Sequence, residues 1–254
     1  MRGVLMISDQ YGWLIFNVLM ALMWVVFYIM YPWCRNIMLK LGLLCCPYAF
    51  AEIVYIPKYW NPPSVFDITT LFFNKLVRIE VEAFICAFIV AGVGGVIYSV
   101  FTNQRVQPFK QRPQKFYEIF VHWLVVLSPY FLCPLLYFTV CNRNIAYAGC
   151  IALLLGALLR IIVRPDLKKQ TLAGGIMFLC YYTVAFKCFD LLAPGYITRV
   201  WNLANLSGIM LIGLPIEEFY WGISFGCYAS GLYEHLAWSH LKPLTIKLGE
   251  PSPL

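Results

Sequence analysis

Seven apolar stretches run along the chain, at 11–31, 37–56, 79–101, 118–140, 145–163, 173–192 and 209–236, with short polar, basic or proline-containing breaks between them. A helix needs about 20 mostly apolar residues to cross the hydrocarbon core of a bilayer, and every stretch is close to or above that length. The second is interrupted by Lys40 and Pro47. In the seventh, Pro215 stands just ahead of a helical run, where proline suits a helix start. The pattern predicts an all-α fold, a polytopic transmembrane bundle of about seven helices. It divides the chain into a first three-helix unit (1–101), a basic loop with a linker helix (102–144), a second three-helix unit (145–238) and a disordered cytoplasmic tail (239–254).

Composition agrees with this solvent. The 254 residues are 61% hydrophobic and only 12% charged, against roughly 25% charged in a soluble domain. The net charge of +7 would suit nucleic acid, but the cations lie between apolar segments, where they orient a membrane protein. Arg2, Lys58, Lys75, Arg78, Arg143 and Arg199 fall on one side. Arg35, Lys40, Arg105, Lys110, Arg112, Lys115, Arg160, Arg164, Lys168, Lys169, Lys242 and Lys247 fall on the other, and Lys187 lies inside the sixth stretch. The richer side is expected to be cytoplasmic, which puts the N-terminus outside and the C-terminus inside a multi-pass protein of the cell (inner) membrane. The ten cysteines form no CxxC pair and no disulfide spacing, and read as small apolar side chains. The first apolar run is long enough to span, so no cleavable signal peptide is expected.

Acids are scarce, and half of the twelve converge at one depth. Glu52 ends the second stretch and Asp190 the sixth, with Lys187 near enough to pair with it. Glu80 and Glu82 open the third, and Glu217 and Glu218 open the seventh. Ionisable groups at the mouths of membrane helices are costly and mark functional sites by default, so the six predict a shared polar pocket at the outer face.

The two acid-bearing runs align. Glu82 falls on Glu217, Phe84 on Phe219 and Tyr98 on Tyr233. Ala87, Ala91 and Gly95 fall on Gly222, Gly226 and Ser230, two small-residue stripes of the kind that let membrane helices approach closely. Ala83 and Glu218 lie on the same stripes, so Glu218 is expected in a helix–helix contact. Upstream, Glu52, Pro57 and Tyr59-Trp60-Asn61 parallel Asp190, Pro194, Tyr196 and Trp201-Asn202. Equivalent elements four helices apart have the same orientation, which predicts two parallel repeats about an axis along the membrane normal.

No phosphate loop is present, and His122, His235 and His240 lack metal-ligand spacing; no metal and no cofactor are expected. The acids are instead accompanied by aromatics: Tyr59, Trp60, Tyr196, Trp201, Tyr220 and Trp221. A carboxyl group in an apolar wall can keep its proton near neutrality, and aromatic faces stabilise a cation held over them. Together they form a site able to protonate an alkene and guide the carbocation. The same carboxylates would also serve a proton- or cation-coupled transporter, or a non-catalytic polyprenoid-binding protein.

Pro215-Ile216-Glu217-Glu218-Phe219, with Tyr233-Glu234 near the end of the run, resembles the motif of the lycopene cyclase domain family. These are integral-membrane, non-flavin carotenoid cyclases that occur as heterodimers or two-repeat fusions. Tyr59-Trp60-Asn61-Pro62-Pro63 and Glu82-Ala83-Phe84 resemble the first repeat of bacterial proteins assigned to that family, so the resemblance runs from about 52 to 234. The first copy, Glu80-Val81-Glu82-Ala83, has neither the proline nor the adjacent acids. The resemblance implies acid-catalysed cyclisation of a polyene end group, an isomerase-type reaction. Glu217 and Glu218 are then the catalytic motif, and Glu82 is their first-repeat counterpart. Trp60, Trp201, Tyr220, Trp221, Phe84, Phe219, Glu52, Asp190 and Glu80 are the expected substrate-binding residues. The expected partners are a carotenoid or other polyprenoid hydrocarbon drawn from the bilayer, membrane lipid and further copies of the chain in a homo-oligomer, with no nucleic acid.

Overall fold

The protein is described by a computed structural model over residues 8–56, 58–72, 75–109, 116–141 and 144–243, with side chains for all of these except 67, 69–72, 75–77 and 116. Pro57, the basic cluster at 110–115 and the tail beyond 243 lie outside the described residues. The helices are α1 (Gly12–Met30), α2 (Arg35–Cys45), α3 (Glu52–Tyr55), α4 (Val81–Phe101), α5 (Phe116–Thr139), α6 (Ile145–Val163), α7 (Lys168–Leu192), α8 (Tyr196–Val200), α9 (Ile216–Ala229) and α10 (Leu232–Leu236). The strands are β1 (Asp67–Phe72), β2 (Lys75–Glu80), β3 (Gln104–Pro108), β4 (Met210–Leu211), β5 (Leu214–Pro215) and β6 (Ser239–Pro243).

Among the described residues, six helical segments are long and apolar enough to cross a membrane: Asp9–Met30, Pro32–Tyr55, Val81–Phe101, Tyr117–Thr139, Ile145–Val163 and Pro165–Leu192. They correspond to the first six apolar stretches. Lys40 and Pro47 do not split the second; α2 passes through a 3-10 turn at Cys46–Ala51 into α3, with Pro47 in that turn's first residues, where proline is tolerated.

The seventh expected helix is not continuous. Its first residues form the β4–β5 hairpin, whose turn places Ile212 and Gly213 at φ 47° and 83°. The helical part, α9, has only 14 residues, about 21 Å of rise. It ends at Ser230, and Gly231 at φ 87° starts the separate α10. The purely helical expectation also misses three antiparallel two-stranded ribbons, β1–β2, β3–β6 and β4–β5. An uninterrupted apolar run cannot by itself distinguish one long helix from a hairpin followed by a short one.

α9 stops where it does because a cation receives its end. The last carbonyls of a helix have no partner within it. Arg160, fully buried on α6, donates Nη1–H to the carbonyl of Tyr228 (2.5 Å) and Nη2–H to those of Cys227 (2.7 Å) and Ser230 (2.7 Å). Arg164, one turn on, bonds Asp166 and the carbonyl of Ser239 at the start of β6. Both arginines belong to the set expected to orient the chain, and the structure buries both.

α4 is the most enclosed helix, packed on α1, α2, α7 and α9. The small-residue stripe of α9 lies on α7, as the sequence pattern predicts. A Cβ at Gly226 would stand 2.7 Å from Cβ of Phe178 and 3.0 Å from the backbone of Gly175. Gly226→Val therefore has to push α7 and α9 apart. We expect it to lower stability by about 1–3 kcal/mol, the usual range for overpacking, read as an earlier thermal transition in detergent.

Candidate active site

Two aromatic loops meet at one end of the bundle. Trp60 follows α3 and Trp201 follows α8, and the two residues form an antiparallel bridge. The Asn61 N–H donates to the carbonyl of Val200 (3.0 Å), and the Asn202 N–H to that of Tyr59 (2.9 Å). The backbone thus fixes both indoles, whose ring centres are 5.1 Å apart, and each indole N–H reaches a different carboxylate. Trp60 Nε1–H donates to Glu52 Oε2 (2.7 Å), and Trp201 Nε1–H to Glu218 Oε1 (2.6 Å).

Glu218 lies in the first turn of α9 and is buried. Besides Trp201 it accepts from the Tyr59 hydroxyl on Oε1 and from the Tyr182 hydroxyl on Oε2 (2.7 Å). Tyr182 belongs to α7, so Glu218 does point into a helix–helix contact. It borders a cavity of about 90 Å³ whose walls come from both halves of the chain. Glu52, Trp60, Ala83 and Cys86 contribute from the first half, and Tyr182, Trp201, Trp221 and Phe225 from the second. The lining is almost wholly apolar apart from the two carboxylates and the phenolic hydroxyls.

Of the residues expected at the site, Glu218, Glu52, Trp60, Trp201 and Trp221 line this cavity. The others do not. Glu82 accepts from Ser64 Oγ (2.6 Å) and from the N–H groups of Val65 (2.8 Å) and Phe66 (3.1 Å), which pins the loop before β1. Glu217 accepts from the Tyr147 hydroxyl (2.8 Å) and the Ser207 N–H (2.8 Å), which pins the loop before β4. The alignment of Glu82 with Glu217 therefore pairs two loop anchors. In that alignment the counterpart of Glu218 is Ala83, which faces the same cavity. Glu80 is buried in an ion pair with Arg78, itself bonded to the carbonyl of Pro62. Asp190 pairs with Lys187 (2.7 Å), as expected, but that lysine spends its other bond on the carbonyl of Ile212 in the β4–β5 turn. Phe84 stacks edge-on against Phe50, Phe219 packs on the core, and Tyr220 is 45% exposed.

Tyr182, which bonds Glu218, is a site residue that sequence reasoning missed outright, as are the cavity-lining Tyr48, Tyr55 and Phe225. The available signal for Tyr182 was a phenol in the middle of an apolar run, since a buried hydroxyl needs a partner. Tyr59 was visible only as one aromatic among several, with no hint that it bonds Glu218. Among the described residues, no group of three or more His, Cys, Asp or Glu is arranged to hold a metal ion.

The acid held by Trp201, Tyr59 and Tyr182 lies in the segment that also resembles a known domain. Residues 144–236 match the lycopene cyclase family model. The matched segment holds Tyr147, Tyr182, Trp201, Glu217 and Glu218, and it leaves out Glu52, Tyr59, Trp60 and Glu82. No curated protein and no solved structure matches the chain.

The loop-anchoring geometry carries its own prediction. Glu82→Ala leaves two backbone N–H groups and the Ser64 hydroxyl without their acceptor. A fully buried donor stripped of its partner costs about 1–3 kcal/mol; these donors are only partly buried, so water offsets part of the loss and the cost falls toward the low end of that range. We expect earlier thermal unfolding and faster proteolysis within 61–66, both measured on purified protein.

Proposed function

We propose that the protein is a membrane-embedded carotenoid cyclase of the lycopene type. The observation that carries this reading is Glu218, buried at an apolar, tryptophan-lined cavity and held there by three side-chain donors. In the reaction, a proton adds to the terminal double bond of the polyene and leaves a tertiary cation. A neighbouring double bond attacks that cation and closes a six-membered ring. Loss of a proton from the ring system then restores an alkene. The product is an isomer of the substrate, so the chemistry consumes no oxidant or reductant. Carboxylate charge and the faces of Trp60, Trp201 and Trp221 would stabilise the cation where it forms.

A correspondence in the order of elements between the two halves supports the reading. In each half, two long helices joined by a proline-led 3-10 turn (Pro32–Cys34 and Pro165–Leu167) precede a tryptophan loop, a β-hairpin and an acid-led helix. Like elements also pair with like: Trp60 with Trp201, β3 with β6, and Gly94 of α4 against Ala229 of α9. An axis along the membrane normal would relate the halves, with the cavity between them near the outer face. The hydrocarbon would enter from the bilayer.

Coexpression with lycopene-forming enzymes tests this directly. The expected result is a pigment of unchanged mass, shifted in chromatography and absorption, that carries one deuterium per ring when membranes are assayed in D2O. Unaltered lycopene in the presence of verified protein would sink the proposal. Transport and simple polyprenoid binding both predict that outcome, so the same experiment separates them from catalysis.

A further inference from the structure

We infer that the two cavity carboxyls divide the proton work, Glu52 delivering the proton and Glu218 taking it away; this rests on the cyclase reading above. Both oxygens of Glu218 are occupied by donors: Oε1 by the Tyr59 hydroxyl and the Trp201 N–H, Oε2 by the Tyr182 hydroxyl. An indole N–H can only donate, and three donors aimed at one carboxyl suit its ionised form. Glu218 is thus arranged as a fixed counter-charge and proton acceptor. Glu52 is arranged differently. Only Oε2 is engaged, by Trp60; Oε1 has no hydrogen-bond partner among the described residues, and the side chain borders the cavity. A carboxyl group with one free oxygen in an apolar wall is the one able to hold a transferable proton and present it to a hydrocarbon.

The position of Glu52 fits the task. It is the first residue of α3, where the 3-10 turn ends, and the tryptophan loop folds back over it. Its charged surroundings are Glu80 with its Arg78 partner, and Glu218 across the cavity. Cyclisation needs a proton added at one carbon and a different proton removed from another, so two groups on different walls are better placed than one. The balance closes. The Glu52 proton and one alkene electron pair form a C–H bond, and a second alkene pair forms the ring C–C bond. A ring C–H pair then becomes the new double bond, and that proton passes to Glu218. Once product leaves, water entering the emptied cavity would return the proton from Glu218 to Glu52.

Glu52→Gln, Glu52→Ala and Glu218→Gln would be assayed in isolated membranes with lycopene as the probe. Glutamine at 52 can still accept from Trp60, so it keeps the packing and removes only the proton. The expected result for Glu52→Gln is a loss of ring formation of about 100-fold or more, the usual worth of a general acid, with normal accumulation and lycopene still retained on purification. Glu52→Ala should regain ring formation in proportion to added propionic acid, a rescue that a purely structural role for Glu52 would not give. Ring formation by Glu52→Gln within about threefold of wild type, where a general acid predicts about 100-fold or more, would overturn the inference. So would failure of Glu52→Gln to accumulate where Glu218→Gln does, because Glu52 would then belong to the scaffold. An inactive wild type would instead remove the cyclase reading itself.

Discussion

Glu218→Gln is expected to lower ring formation by about 100-fold or more while the protein still accumulates in the membrane. The amide has the shape of the carboxylate but lacks its charge. It also brings a donor of its own into a shell built from donors: the Tyr59 hydroxyl, the Trp201 N–H and the Tyr182 hydroxyl. Each tyrosine can turn its hydrogen away and accept from the amide, but Trp201 cannot, so the shell adjusts without collapsing. On the proposed cyclase reading, what is lost is the negative charge that would face the developing cation. Such pre-organised charge in a site that excludes water is commonly the largest single contribution to catalysis. Tyr182→Phe removes one donor and keeps the charge, so it should reduce ring formation by a smaller factor. Pigment chromatography, normalised to protein in the membrane, measures both variants. Equal activity of Glu218→Gln and wild type would remove Glu218 from the chemistry.

Much of the bundle was legible because bilayer thickness sets the length of a spanning helix, and six of the seven apolar runs meet that length as single helical segments. The seventh misled because apolarity fixes solvent and not conformation. The interruptions fall at Gly213 and Gly231, and the structure shows left-handed backbone at Ile212, Gly213 and Gly231. The site was legible in part: scarce acids at the ends of apolar runs pointed to Glu52 and Glu218, but direction was hidden, since Glu217 and Glu218, adjacent in the chain, point about 100° apart on the helix. One anchors a loop and the other meets the cavity. The choice between them depends on which neighbours supply donors, and those come from residues as distant as Tyr59 and Tyr182. Arg160 was misread for a related reason. At the end of an apolar run it looked like a boundary charge, and only the early stop of α9 shows what it is for.

That early stop leads to the second large effect. Arg160→Met keeps most of the side-chain volume but strips the carbonyls of Cys227, Tyr228 and Ser230 of their common donor. The guanidinium site is fully buried, so water cannot readily replace it. The carbonyls of Cys227 and Tyr228 lose their side-chain donor at about 1–3 kcal/mol each, while that of Ser230 keeps only the Thr171 hydroxyl (3.4 Å); the loss is large enough to show as a marked fall in thermal stability in detergent. Arg160→Lys should recover only part of it, because a single ammonium cannot reproduce the fixed fork that serves three acceptors at once. The consequence reaches the site, because α9 is a short rod with Arg160 at one end and Glu218 roughly 16 Å away near the other. A rod released at its C-terminus can shift against α7, and Glu218 depends on the Tyr182 hydroxyl of α7 staying in register. We therefore expect Arg160→Met to lose ring formation as well as stability, though it lies on the far side of the bundle from the cavity acids. An Arg160→Met protein that melts with wild type would show that α9 holds its end without this cation, and the link from Arg160 to the position of Glu218 would fail with it.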